Sequence, residues 1–154
     1  MSLLTPSPRE ICDRLSIIAL KQQAGNTSAH LREEHTTLVV RLHGAAYATV
    51  INAPEQCALV DLMYALTAVN AFIWHKEDAI RDLGAIRDLG KISLTAKVVG
   101  SNKTVAEHTA ELAIEIRKLA DRRHYLIAEI DRLFGEERAG KEKSWMQQSN
   151  DSRG

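Results

Sequence analysis

The chain is poor in aromatic residues, at 5% against 45% hydrophobic, and holds only three prolines and two cysteines. A core built from it is therefore aliphatic, drawn from Leu, Ile, Val and Ala, a composition that favours helices. Charge of one sign is also missing: 20 Lys+Arg stand against 20 Asp+Glu in 154 residues. That balance argues against bulk nucleic acid or an anionic membrane as partner, because such binders carry a basic excess. Cys12 and Cys57 have no CxxC spacing and no neighbouring ligand cluster, and each lies in an apolar-periodic segment, so both are expected to be buried free thiols. The first eight residues carry no basic stretch leading into an apolar one, and no apolar run approaches the 18 or so residues of a membrane span. The expectation is a soluble, cytoplasmic protein. P-loop, GxGxxG, HExxH and nucleophile-elbow patterns are all lacking, so no reaction is named and no cofactor or metal is expected.

What is present is helical periodicity. Ser7-Pro8 starts a first helix, about residues 8–24, with Ile11, Leu15 and Ile18 at helical spacing and Gly25-Asn26 as its stop. A second runs from Thr27-Ser28 to Ile51; its Thr36–Val40 stretch taken alone suits a strand, but length and flanking helix formers favour a helix. The third, about 54–84, carries Leu59, Leu62, Leu66, Val69, Ile73, Ile80 and Leu83 on one seven-residue repeat, interrupted only by Lys76. Gly84 is expected to end it. Ala-Ile-Arg-Asp-Leu-Gly at 79–84 recurs letter for letter at 85–90, the second copy being expected to form a short turn. Residues 91–103 suit either a short helix or an extended connector. The fourth helix, about 102–135, begins at a Thr104–Glu107 capping box and carries a seam of Leu112, Ile116, Leu119, Leu126, Ile130 and Leu133. Arg123 fills the seam position between Leu119 and Leu126.

Together these predict an all-α, up-and-down helical bundle with two long and two shorter helices. A single domain is expected over 1–135, followed by a polar, flexible tail over 136–154. Two seams on helices this long exceed what two shorter helices cover, so self-association as a homodimer or larger homo-oligomer is expected.

Polar groups accompany the seams. Asn70, Trp74, Glu77 and Arg81 fall at i, i+4, i+7 and i+11 and share one helical face. This is either a polar site or a solvated flank with a Glu77–Arg81 helix pair. Arg123 in a leucine seam calls for a carboxylate, with Glu77, Asp78 and Asp13 as candidates, or for a bound anion, unless it snorkels to the surface. Arg14 and Lys21 share a face of the first helix, and a set of Arg14, Lys21, Arg81 and Arg123 converging on one cavity would hold a phosphate or carboxylate. A carboxylate Mg²⁺ site from Glu33, Glu34, Glu77 and Asp78 is the alternative, lacking a third glutamate at helical spacing after Glu33-Glu34.

Asn70-x3-Trp74-His75-x-Glu77-Asp78-x2-Arg81, followed by Ile116-x2-Leu119-x3-Arg123-x2-Leu126-Ile127-x2-Ile130-Asp131, resembles the signature of a group of uncharacterised bacterial and phage helical domains of unknown function. Asp13-Arg14-Leu15-Ser16-Ile17 with Lys21, and Glu142-Lys143-Ser144-Trp145, are similar to further pieces of that group. The chain departs from it at Ala120 and His124, where such proteins carry asparagines. The resemblance implies an all-helical fold and a shared polar cluster at Asn70, Trp74, Glu77, Arg81 and Arg123, and it brings no activity.

The expected function is a non-enzymatic binding or adaptor protein, oligomeric, holding a small anionic ligand such as a nucleotide or sugar phosphate. Its expected ligand-binding residues are Arg14, Lys21, Asn70, Trp74, Glu77, Arg81 and Arg123. The alternatives are a metal-dependent hydrolase of a nucleotide-type substrate acting through Glu77 and Asp78, and a purely structural oligomerisation module.

Overall fold

Helix ends decide where these helices start, because the first backbone N–H groups need acceptors. At Ser7 the backbone N–H donates to Glu10 Oε2 at 2.7 Å while Ser7 Oγ accepts from the Glu10 N–H at 3.4 Å, a reciprocal cap. Asn52 and Glu55 repeat the exchange at 2.9 and 3.0 Å, and Thr104 and Glu107 at 2.8 and 3.2 Å. The computed structural model describes residues 6–88 and 93–135. Within them lie four helices: α1 (Pro8–Gln23), α2 (Ala29–Ala48), α3 (Ala53–Asp88) and α4 (Val105–Phe134). No strand occurs among the described residues, and the protein is an all-α helical bundle.

Three expected boundaries shift. α2 stops at Ala48 rather than Ile51, because the chain turns into the left-handed region at Val50, and Asn52 caps α3. α3 does not end at Gly84: that glycine keeps a helical backbone, and the second Ala-Ile-Arg-Asp copy prolongs the helix to Asp88. A glycine inside a helix costs only about 1 kcal/mol, too little to stop one without a left-handed turn. Residues 93–104 form a turn-rich connector closed by an isolated Lys97–Thr104 bridge, with Gly100 at φ 76° in its turn. The expected tail and residues 91–92 fall outside the described residues.

The chain forms two compact units. The first holds α1, α2, α3 as far as Thr67 and α4 from Tyr125; the second holds α3 from Ala68, the connector and α4 as far as His124. In the first, α1 buries Ile11, Cys12, Leu15 and Ile18, and α2 buries Leu31, Leu38 and Leu42 at helical spacing. Leu59 and Leu66 on α3 and Leu126 and Ile130 on α4 complete this core. Each full burial of such a side chain contributes about 1.5–3 kcal/mol. In the second unit α3 and α4 run antiparallel: Lys76 pairs with Glu115, and Ile80 and Leu83 share a small cavity with Val105 and Ala106. Val69, Val105 and Leu112 are buried there, and Ile73, Ile116 and Leu119 are half-buried.

Candidate functional site

The seam residue that looked out of place on α3 has a structural answer. Lys76 donates from Nζ to Glu115 Oε2 on α4, and this bond, with the lysine charge beside it, holds the Glu115 carboxyl below its ordinary pKa. A polar group in the seam thus ties the two helices together in one register.

The expected binding residues divide between the units. Arg14 and Lys21 are exposed on α1 in the first unit, where Arg14 pairs with Glu34 of α2. In the second unit Asn70 is buried, Trp74 half-buried, and Glu77 and Arg81 exposed, so the column they share on α3 runs from core to surface. Arg81 Nη1 donates to Asp78 Oδ1 at 2.5 Å, so the guanidinium takes the neighbour at i−3 and not Glu77. Arg123 is half-buried on α4, less enclosed than a leucine-seam position suggests. Exposed pairs such as Arg14–Glu34 and Arg81–Asp78 contribute about 0–1 kcal/mol each. Among the described residues no three His, Cys, Asp or Glu side chains come together as a metal-binding group. Glu34 and Asp78, two of the four acids considered for Mg²⁺, are each engaged by an arginine.

The two thiols differ, contrary to expectation. Cys12 is buried, and burial followed by the adjacent Asp13 charge pushes its pKa up to about 12. Cys57 is exposed. It sits two residues before buried Leu59, a helical offset of about 200° that turns it away from the core.

A concave feature that the sequence does not anticipate lies wholly in the first unit. It is an open groove of 730 Å³ between α2 and the start of α3, with Leu15 of α1 at its base. α2 supplies Val39, Leu42 and Tyr47, and α3 supplies Leu59, Val60 and Met63. No Asp, Glu, Lys or Arg lines it; its polar groups come from His43, Tyr47, Gln56 and the backbone. Tyr47 is 85% exposed and, on α3 one turn beyond Val60, Tyr64 is 75% exposed. The sequence signal is there: Val39, Val40 and Tyr47 are apolar residues of α2 that fall off its Leu31, Leu38, Leu42 stripe, and apolar Val50 follows its end.

α3 is also more apolar than its interruptions suggest. Between Ala53 and Gly84 an 18-residue window reaches a mean hydropathy of 1.6, so the helix is long and apolar enough to cross a membrane, and only 11% of that window is buried. The expectation that nothing approached a span rested on unbroken runs, which Asp61 and Asn70 interrupt.

No protein-family model, no curated protein and no solved structure matches the chain.

Proposed function

We propose that the protein is a non-enzymatic binding or adaptor module, a helical scaffold that receives the apolar side chains of a partner in the groove of its first unit. The observation that carries this reading is an uncharged groove of 730 Å³ beside two exposed tyrosines. Its volume lies in the ~300–1,000 Å³ range of specific binding sites, and a cleft between two helices suits the apolar face of a third. Tyrosine is among the side chains enriched at the centres of such contacts, because a rigid ring gives large area at little entropic cost.

Cys57 offers a test without mutation: a fluorophore on this exposed thiol reports from α3, next to the groove residue Gln56. Titration with a synthetic amphipathic leucine–lysine helix is expected to give a saturable response that Val60→Asp abolishes. A flat titration with monomeric wild-type protein contradicts the reading.

A second reading, a small anion held in the second unit, is favoured by the half-buried Arg123 and the buried Asn70. An anion at a hundredfold excess over its Kd adds about 2.7 kcal/mol, well within a thermal-shift measurement. A nucleotide or sugar phosphate that stabilises the wild type and not Arg123→Met supports it; no shift with any anion rejects it.

A further inference from the structure

The two short helices end in the same way, with one residue exchanged for another that does not suit its place. At the end of α1, Gly25 N donates to Gln22 O at 3.0 Å and Asn26 N to Lys21 O at 2.9 Å, with Gly25 at φ 89°. At the end of α2, Val50 N donates to Tyr47 O at 3.1 Å and Ile51 N to Ala46 O at 3.2 Å, with Val50 at φ 51°. This closing motif wants glycine at its left-handed position. A side chain there costs about 1–2 kcal/mol, and a β-branched one is the worst suited. Val50 returns little of that to the monomer's core, because the residue is 71% exposed. It lies on the lining of the groove.

Val50 therefore belongs to a continuous apolar face of the first unit, with Tyr47, Tyr64, Val60 and Val39, the last two 50% and 44% exposed. Resting on the reading of the groove as a binding surface, we propose that its occupant is a second copy of this chain, in a two-fold dimer that pairs this face with itself. Such a pairing needs a surface that is its own complement, a hollow with projections beside it. The groove is the hollow; Tyr47, Val50 and Tyr64 are the projections. A face that meets itself also does best without formal charge, since every charge near the axis meets its like, and no Asp, Glu, Lys or Arg lines the groove. The chain's zero net charge adds no long-range repulsion between copies.

The area suffices. A tyrosine carries about 150–250 Å². At their exposures Tyr47 and Tyr64 thus offer roughly 300 Å² together, and the three valines a similar amount. Paired across a two-fold axis, the face removes at most about 1,200 Å² from water if these side chains are fully covered, the lower end for a specific, stable interface. A lipid surface fits less well. The lining offers no lysine or arginine to anionic headgroups.

Sedimentation velocity of the full chain from micromolar to millimolar concentration tests the proposal. The wild type is expected as a dimer, and the double variant Val60→Asp, Tyr64→Ser as a monomer with unchanged helical circular dichroism, since both side chains are exposed. A nitroxide on Cys57 gives a second measurement on the unmutated sequence: dipolar coupling between copies, lost on dilution with excess unlabelled chain. A monomeric wild type at every concentration, or a double variant that remains dimeric, overturns the pairing. So does flotation of the wild type, but not of the variant, with phosphatidylcholine–phosphatidylserine vesicles, which assigns the face to a membrane. If the amphipathic peptide binds a strictly monomeric wild type, the pairing fails while the binding reading stands; if neither occurs, both fail.

Discussion

Cys12 and Cys57 carry the same chemistry in opposite surroundings. Burial holds Cys12 as a thiol to about pH 12, while Cys57 meets solvent. One thiol per native chain is expected to react with Ellman's reagent at pH 8, the second only after denaturation; two fast thiols in the folded protein contradict this placement. The helix caps make a second prediction at this scale. Hydrogen bonds from the Thr104 backbone N–H first, and from its hydroxyl, lower the Glu107 pKa below the ordinary 4.5, and Ser7 does the same for Glu10. A lowered folded-state value favours the folded carboxylate. This contribution is fully present above the unfolded value and is lost as pH falls through the lower, folded one. A carbon-detected titration is expected to place Glu107 below 4.5, and Thr104→Ala to move it upward while costing about 0.5–2 kcal/mol of stability. An unmoved Glu107 contradicts the cap. The Ser7 and Thr104 caps were legible in the sequence because each pairs a cap type with a start signal in a fixed spacing. Cys57 was not, because an apolar-periodic segment does not by itself say which residues off its stripe are covered.

At the scale of elements, the seven-residue repeats of α3 and α4 were legible throughout, and their two polar interruptions were informative in different ways. Lys76 pairs with Glu115 on the facing helix, and Arg123, which reads as a seam residue, is half-buried. α3 runs past Gly84 because a glycine is a stop signal only if the backbone turns left-handed there, and letters do not fix φ. A methyl group added at Gly84 meets nothing within 4 Å. Gly84→Ala is therefore expected to raise stability by about 0.5–1 kcal/mol in a urea titration, the cost of glycine in a helix interior. Destabilisation instead places a turn at this position. The reverse holds at Val50, where a β-branched residue occupies a glycine's conformation and nothing in the sequence announces it.

On the whole molecule, helical class and helix number were legible, since a 3.6-residue period and caps are local properties. Which polar residues meet is not local. Arg14 and Lys21 belong to one unit and Arg81 and Arg123 to the other, and Arg14 and Arg81 are each engaged by a carboxylate within their own unit. Apolar surface left over after the cores form is likewise a property of the assembled first unit, read from how little of Tyr47, Val50 and Tyr64 is covered. Balanced charge, which argues against a polyanion partner, is compatible with a second neutral copy. The central claim is that the groove face is kept for binding at the expense of the monomer's own stability. Val50→Gly tests it most directly, with thermal melting and sedimentation measured on the same sample. Relief of the left-handed valine is expected to stabilise the isolated chain by about 1 kcal/mol while self-association weakens. A variant that associates as tightly as the wild type, or that melts lower with its dimer intact, contradicts the account.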